Sequence, residues 1–554
     1  MRCCTAYRAL LERVGSAHSV SIQPRLRVPV LSPGSRAAVI ARGALPAPLH
    51  LAGALARYRY LRPRQRLGAA RAALALRRLD PRDPALERAS FGEWLQCHGQ
   101  GPDAAENLWE VIVRPTLNLP TAEASLALGA FTFRTALLSH ADAGDVGFHD
   151  ATLSETIGQP AERALGEAGV ELKLGWRAQR LRARAGGFEV EGAEEALGAQ
   201  VVIVAVPHNR AGALIEPLAP EEARRVSALE SSPIVNLHVL YDRAVLAEPF
   251  AAAVRSPVQY LFDRTVAAGA PAGCQYLAVS LSGAEPEMHT SARGLRERYL
   301  PALSDLLPDA RGARVERFFI TREHAATFRA APGVGALRPG PRSSMAGLVL
   351  AGAWTDTGWP GTLVAAPMSL EALLIRSAAR GARVRRTGMG PRRAGAAARA
   401  LREEPGEALL VLGFCGGLDE RSRPGEVVVA SEVLTAADED RGQERVTCSG
   451  VERLEDALVT AGLPVRSGPV VCVSRLALGE RRAQLHAAGA IAVDMESVWL
   501  AHGAAGRPFA VVRVVLDSPS HELLRPQAAA GAVRAARALR RAAAASLHEW
   551  RPGD

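Results

Sequence analysis

Short apolar runs of strand length, each followed by a turn and a stretch of helical periodicity, constrain the fold of this chain most. Such runs occur at 201–206, 347–351, 408–413 and 509–516. Strands that alternate with helices are typical of α/β folds, in which helices cover a largely parallel sheet. We therefore predict α/β architecture for most of the chain, with residues 233–330 mixing strands and helices in an α+β manner.

Composition and charge restrict the class of protein further. The chain of 554 residues is long enough for about two to four domains of roughly 150 residues each. Its formal net charge is +10, but the arginines are spread along the chain, whereas nucleic-acid-binding proteins cluster their basic residues on one face. We expect no nucleic-acid partner, and a nucleic-acid-binding protein is an alternative that rests on charge alone.

The cysteines and the apolar content predict the cellular compartment. Seven scattered cysteines without a CxxC pair indicate neither a disulfide framework nor a zinc site, and they predict a reducing cytoplasm and no metal. The sequence has no uninterrupted apolar window of about 20 residues, so we expect no transmembrane helix. The expected location is the cytoplasm, with peripheral association at the inner face of the membrane.

The segment 348–362 combines a buried strand, a glycine-rich turn and a predicted helix start. Backbone amides in such a turn can face an anion. The segment resembles the C-terminal flavin-binding motif of the amine oxidase/phytoene desaturase superfamily. The resemblance implies FAD as the cofactor, and it places five residues along the ribityl-pyrophosphate part of FAD: Gly352, Ala353, Trp354, Gly358 and Thr362.

Further motifs point to one branch of that superfamily. The segments 91–95, 114–120 and 322–328 resemble the hydroxysqualene dehydroxylases of hopanoid biosynthesis. The resemblance implies an FAD-dependent reduction of hydroxysqualene to squalene, or the desaturation that older descriptions give, and hence an isoprenoid or triterpenoid substrate. Arg114 is a candidate contact to that substrate, and a buried salt bridge is its alternative role.

The sequence also departs from the flavin superfamily. Members begin with a strand, a GxGxxG loop and a helix that bind the dinucleotide, and none of these precedes the matched region here. Ala353 and Val364 stand where relatives carry acidic residues. We therefore expect an N-terminally truncated flavin fold in which FAD would bind through the 352–362 turn and strands around 170–174 and 201–206.

Glycine-rich and acidic turns follow the predicted strands of the last third of the chain. Glycines let the backbone approach a ligand closely, and α/β folds place their chemistry at the carboxyl ends of strands. The candidate residues at these turns are Gly388, Gly390, Gly413, Gly416, Gly417, Met495, Glu496 and Asp517.

These motifs resemble the purine nucleoside phosphorylase/methylthioadenosine nucleosidase superfamily over roughly residues 382–549. The resemblance implies that Met495 and Glu496 hold the ribose, that Asp517 protonates or hydrogen-bonds the purine, and that the glycine loops line the phosphate or water side. A capping role for Asp517 ahead of a helix is the alternative. A hopanoid-associated branch of the superfamily removes adenine from adenosylhopane, so we expect a purine nucleoside substrate, and we expect copies to associate through this module.

Nucleosidases carry an acidic residue just after their first strand, where it activates the attacking water. With the module boundary placed after residue 380, that residue has no match, and we expect the second module to be clipped as well.

The predicted fold class is α/β, in two modules. A truncated FAD-binding amine-oxidase-like two-domain fold would span residues 1–380, with substrate-type regions at about 15–150 and 233–330, and a nucleoside phosphorylase-like α/β/α sandwich would span 381–554. An inactive fusion that acts as a scaffold is the alternative to a two-module enzyme.

Overall fold

The chain folds into two compact units, Met1–Asp356 and Thr357–Asp554. The computed structural model describes residues 1–81, 83–357, 362–378, 383–403, 408–436, 444–522 and 528–549. None of the helices in these ranges is both long enough and apolar enough to cross a membrane.

The helices of the first unit pack around an aromatic core. The rings of Phe91 and Phe133 stack with centroids 5.5 Å apart, and Trp109 lies against both. The helix that carries Phe91 begins with a capping box, in which Ser90 and Glu93 bond each other's backbone N–H groups. The helices are α1 (Thr5–Arg13), α2 (Ala52–Arg57), α3 (Pro63–Arg78), α4 (Phe91–Cys97), α5 (Pro102–Ala104), α6 (Glu110–Leu117), α7 (Leu126–Phe133), α8 (Gln159–Glu167), α9 (His208–Ile215), α10 (Pro220–Ser227), α11 (Glu285–Met288), α12 (Ala292–Leu306) and α13 (Val334–Leu337).

The strands of the first unit form one large sheet and several small ones. They are β1 (Val20–Ile22), β2 (Arg27–Leu31), β3 (Ala38–Ala41), β4 (Gly147–His149), β5 (Arg180–Arg184), β6 (Gly187–Glu191), β7 (Ala196–Ala199), β8 (Val202–Val204), β9 (Ser231–Tyr241), β10 (Phe250–Ala253), β11 (Tyr260–Asp263), β12 (Gln275–Ser282), β13 (Val315–Phe328) and β14 (Leu348–Leu350). The large sheet runs in the order β13-β9-β12-β11-β10-β2-β3. Alternate residues of β9, among them Val235, Leu237 and Val239, are buried in a core that also contains Leu295 of α12.

Strands β8 and β14 form a parallel pair ahead of the glycine turn at Gly352. The predicted apolar runs at 201–206 and 347–351 are therefore strands, as expected. The predicted strand at 170–174 is wrong, because this segment has no strand conformation. Val170, Leu172 and Leu174 are exposed, and an extended segment without a paired neighbour gains no ladder hydrogen bonds.

The second unit is an α/β unit built on one sheet. Its strands are β15 (Thr362–Ala366), β16 (Arg383–Arg386), β17 (Ala408–Gly417), β18 (Val427–Thr435), β19 (Arg445–Thr447), β20 (Val465–Cys472), β21 (Ala492–Asp494) and β22 (Phe509–Asp517). Its helices are α14 (Ser369–Ala378), α15 (Pro391–Glu403), α16 (Val451–Thr460), α17 (Glu480–Ala487), α18 (Ser497–Ala501) and α19 (Ala528–Glu549). The strand order is β16-β15-β17-β21-β20-β18-β19, with β22 paired to β17 and β18.

Helices cover both faces of this sheet. Along β17, Leu410 and Leu412 join a core that contains residues of α14, α16 and α19. Leu409 and Val411 join the opposite core, which contains residues of α15 and α18. Side chains of a strand alternate between the two faces of its sheet, so this burial on both sides produces the predicted α/β/α sandwich.

The boundary between the units differs from the sequence-based prediction. β15 pairs in parallel with both β16 and β17, and Ile375 of α14 is fully buried in the core of the second unit. The predicted helix start after Thr362 is therefore a strand of the second sheet, and the boundary moves from residue 380 to residue 356. Val364, Ala365 and Ala366 fit this position because they are fully buried, as expected for a parallel strand between two neighbours.

Candidate functional site

Glu371 lies in the first turn of α14, immediately after the strand that begins the second unit's sheet. Its side chain is nearly inaccessible, with the residue 1% exposed. One carboxylate oxygen accepts the backbone N–H of Met368 and the other that of Phe414, both at 2.6 Å. Burial raises the pKa of Glu371 above its ordinary value, although Arg513 and the two N–H donors act in the opposite direction.

Arg513 of β22 is the charged centre of the site. Its guanidinium is completely buried and lies 2.6 Å from Asp494 and 3.5 Å from Glu496. A Cβ atom at Gly413 would lie 2.6 Å from both Arg513 Nη1 and Glu371 Oε1. Glycine is therefore needed at this position in β17, since any side chain would enter the space between these two groups.

The three carboxylates around this guanidinium differ in protonation. Burial raises the pKa of Glu496 to about 7, against the opposing effect of Arg513. Burial also acts on Asp494, but there the ion pair with Arg513 and several hydrogen bonds outweigh it and hold the pKa below its ordinary value. Asp494 is thus an anion fixed to Arg513, while Glu496 can gain or lose a proton near neutral pH.

The loop between β16 and α15 reaches Glu496. The backbone N–H of Gly390 donates to Glu496 Oε1 at 3.1 Å, and that of Gly388 donates to the carbonyl of Pro367 after β15. Both glycines have φ above +80°, a conformation that side chains disfavour. The structure therefore brings Gly390 into contact with Glu496, whereas Gly388 fixes the loop to the preceding strand.

Asp517 ends β22 and faces Gly416 of β17 in the strand register. Both line a small cavity of about 40 Å³, together with Met495, Leu476 and Arg482. The carboxylate of Asp517 forms a buried ion pair with Arg482. The capping alternative for Asp517 is wrong, because residues 518–522 form no helix. Gly417 lies apart from the cavity lining, where a Cβ would collide with Ser422.

Sequence reasoning missed Glu371, Arg482 and Arg513. The signal for Glu371 was present, because an acidic residue follows the apolar run at 363–366, but that run was attributed to the first module. An arginine in a short helix or in an apolar strand, as at positions 482 and 513, carries no recognisable pattern.

In the first unit, the glycine turn after β14 is closed by its own side chains. Trp354 is 3% exposed, and its Nε1 donates to the carbonyl of Val206 at 3.0 Å. Thr355 Oγ1 donates to the carbonyl of Gly352 at 2.7 Å, and Ala353 is exposed. Trp354 therefore packs into the core beside β8, which leaves the backbone of Gly352 and Ala353 as the part open to a ligand.

The described residues fit an FAD site only in part. Thr362, predicted to contact the cofactor, lies in the sheet of the second unit, and Gly358 lies outside the described residues. The chain contains no GxGxxG sequence, which is the loop that brings backbone N–H groups to a dinucleotide pyrophosphate. The turn at Gly352 does not by itself supply such a set of donors, so we derive no chemical step through a flavin.

Arg114 lies at another cavity of the first unit. Its Nε donates to Glu110 Oε2 at 2.9 Å, and the side chain is 32% exposed. The cavity has a volume of about 330 Å³ and is also lined by Arg255, Tyr260 and Glu287. Arg114 does form a salt bridge, but the pair is partly exposed and not buried as the alternative stated, and its guanidinium borders this cavity.

The fold comprises a flavin oxidoreductase-like unit followed by a nucleosidase/phosphorylase-like unit. The family described as flavin containing amine oxidoreductase matches residues 4–366, and the phosphorylase superfamily matches residues 376–545. The chain belongs to the flavin containing amine oxidoreductase family, and its second unit carries a phosphorylase-superfamily domain. Membership of the first family implies a flavin-type cofactor.

Individual relatives match each unit. The hydroxysqualene dehydroxylase of Sinorhizobium fredii is 29% identical over 49% of this chain and 61% of its own length. That of Rhodopseudomonas palustris is 27% identical over 49% of this chain and 62% of its own length. This chain thus spans about three fifths of the length of these relatives. An S-adenosylhomocysteine nucleosidase from Streptococcus pyogenes is 19% identical over 33% of this chain and 96% of that chain, with a TM-score of 0.29.

Proposed function

We propose that the second unit is a purine nucleosidase that releases adenine from an adenosyl substrate. The observation that carries this proposal is the position of Glu371, buried after the first strand of the sheet and beside Arg513 and Glu496. This is the position at which the resemblance to nucleosidases requires an acidic residue. In this proposal Glu371 supplies the acidic residue for which no match was expected from the sequence.

Three carboxylates have separate roles in the proposed reaction. Glu371 accepts a proton from water, and the water oxygen forms a bond to C1′ of the ribose. Glu496 accepts hydrogen bonds from the ribose hydroxyls. The bond from C1′ to the purine nitrogen breaks with its electron pair on the purine, which takes up one proton and leaves beside Asp517. Water and nucleoside give free purine and free sugar, so the atoms balance.

Water is favoured over phosphate as the attacking group. Glu371, Asp494 and Glu496 all face one guanidinium, that of Arg513. An incoming phosphate dianion would meet these three carboxylates together, and like charges repel strongly in a buried site. The surroundings of Glu371 therefore support hydrolysis.

For the first unit, the names of the two curated relatives support a substrate of the hydroxysqualene type, and family membership supports FAD. A shared role in hopanoid synthesis, with adenosylhopane as the nucleoside, would give both units one pathway. Binding of FAD would need N–H donors beyond the Gly352 turn. Peripheral membrane association and self-association through the second unit stay predictions.

The experiment is incubation of the full chain with 5′-substituted adenosines, including adenosylhopane, in the presence and absence of phosphate. We expect free adenine and a free reducing sugar at the same rate in both buffers. Formation of a sugar 1-phosphate would show that the reaction is phosphorolysis and not hydrolysis. If no substrate releases adenine, the inactive scaffold is favoured. Conversion of hydroxysqualene to squalene under reducing conditions tests the first unit separately.

A further inference from the structure

Arg482 is a buried cation in the second unit for which the proposed reaction has no use. It lies on α17, and its side chain is 3% exposed. Nε donates to the carbonyl of Ala477 at 2.9 Å, Nη1 to that of Gly417 at 3.4 Å, and Nη2 to Asp517 Oδ2. Removing a guanidinium from water is costly unless its donors are satisfied, so three separate acceptors fix this one in place.

The two carboxylate oxygens of Asp517 differ in their hydrogen bonding. Oδ2 is occupied by Arg482, whereas no hydrogen bond to Oδ1 is found within the part of the chain that the structure describes. Oδ1 lies beside Gly416, where an added Cβ would be 3.4 Å away. Gly416, Asp517 and Arg482 all line the same cavity as Met495, so Oδ1 is the oxygen available to a ligand there.

We infer that Arg482 is a positioning residue which keeps Asp517 as a pure hydrogen-bond acceptor and thereby selects 6-aminopurines over 6-oxopurines. The inference rests on the proposed nucleosidase function and adds a residue and a selectivity to it. An ionised carboxylate only accepts hydrogen bonds. The amino group of adenine donates to it, whereas the carbonyl of hypoxanthine places an acceptor against an acceptor.

The same arrangement changes the role of Asp517 in the reaction. A carboxylate held by a guanidinium stabilises positive charge on a purine that has already taken a proton from solvent, and it need not supply that proton itself. Arg482 is the partner that holds Oδ2, so without it the carboxylate would no longer be fixed with Oδ1 in the cavity. Discrimination between the two purine classes would then fall.

The test compares Arg482→Met and Arg482→Lys with the wild type and with Arg481→Met, which changes the neighbouring, partly exposed arginine of the same helix. Thermal unfolding confirms that each variant folds. For the wild type, the kcat/KM for adenosine should exceed that for inosine by about 100-fold or more. The ratio should fall at least tenfold in Arg482→Met and be largely retained in Arg482→Lys and Arg481→Met.

Equilibrium binding of free adenine and free hypoxanthine gives a second readout that needs no turnover. The wild type should bind adenine more tightly, and Arg482→Met should lose most of that preference even where it folds normally. If adenine is preferred but no nucleoside is cleaved, the proposed nucleosidase function fails and the inference about Arg482 stands. If nucleosides are cleaved and Arg482→Met lowers kcat/KM for adenosine and for inosine by the same factor, Arg482 has only a structural role. Equal binding of both bases to the wild type, or binding of neither, also overturns the inference.

Discussion

Glu371 Oε1 accepts the backbone N–H of Phe414 at 2.6 Å, which joins the first helix of the second unit to its central strand. Phe414 follows Gly413, whose missing side chain leaves room between Glu371 and Arg513. The hydrogen bond is therefore part of the candidate site as well as of the fold. It also makes the segment between residues 362 and 378 an integral part of the second unit.

The two faces of α14 provide a test of that assignment. Ile375 is fully buried and Leu373 is 64% exposed on the same helix. Ile375→Ala should destabilise the second unit by about 2–5 kcal/mol, the usual cost of deleting a buried aliphatic side chain. Hydrogen exchange should rise in peptides from β15, β17 and α19 and stay unchanged in β9 and β12. Leu373→Ala is the matched control and should change neither the stability nor the hydrogen exchange. Faster exchange in β9 or β12 for Ile375→Ala would place α14 in the first unit.

Asp517 and Glu496 should differ in their kinetic effects. Asp517→Asn should lower the rate of adenine release by about 10²- to 10⁴-fold, the range for lost charge stabilisation or proton transfer, with a smaller effect on binding. Glu496→Gln should also weaken nucleoside binding, because the carboxylate accepts from the ribose. Steady-state kinetics measure both effects, with exposed Asp456→Asn as the control. Full activity of Asp517→Asn would leave Asp517 without a role in the reaction.

The pH dependence follows from the raised pKa of Glu496. Burial places that pKa at about 7, so the side chain is neutral below this pH and ionised above it. The ionised form accepts hydrogen bonds from ribose hydroxyls, and kcat/KM for adenosine should rise as the pH increases through about 7. The Glu496→Gln variant should lack this rise in kcat/KM with pH. A rise that persists unchanged in the variant would assign it to another group, such as Glu371, whose pKa is also raised.

The same shift predicts a dependence of stability on pH. Because the pKa of Glu496 is higher in the folded state, at about 7, than its ordinary value, its contribution to stability is greatest at low pH and is lost as the pH rises through that value. Relative to Glu496→Gln, the wild type should therefore lose thermal stability in the second unit across that range. Parallel curves for the two proteins would contradict this account.

Gly352 offers a test of flavin binding. A Cβ at this position would lie 2.5 Å from Trp354 Nε1, so Gly352→Val should distort the turn and lower the amount of flavin that copurifies, measured by absorbance. Gly198→Val is the control, because a Cβ there meets no atom within 4 Å. A colourless wild-type protein that also fails to bind added FAD would contradict the proposed cofactor.

The second unit shows how much of the fold and of the candidate site can be predicted from the sequence. Apolar runs predicted β17 and β22 to within a few residues, because strands buried on both faces appear in the sequence as continuous apolar runs. The turns after those strands also pointed to Glu496 and Asp517 as candidate site residues, which stays a prediction. Whether Asp517 caps a helix or pairs with a cation could not be predicted, since Arg482 lies far from it in sequence and meets it only through the fold.

The boundary at residue 356 could not be predicted for a related reason. The segment after Gly352 follows a flavin-like motif, and local sequence favours continuing that module. Pairing of β15 with β16 and β17 is a long-range interaction, and tertiary contacts override local patterns of this kind. The strand predicted at 170–174 in the first unit is wrong for the converse reason. Its residues are typical of a strand, but the segment pairs with no neighbouring strand.

The most direct test of the account is the rate of adenine release by the full chain carrying Glu371→Gln. The substituted amide would keep the shape of the side chain but could not take a proton from water, so we predict a loss of about 10²- to 10⁴-fold in kcat. The free bases should still bind, and Glu452→Gln, an exposed substitution on α16, should leave the rate unchanged. A Glu371→Gln protein as active as the wild type would contradict the claim that this chain completes its nucleosidase site with Glu371.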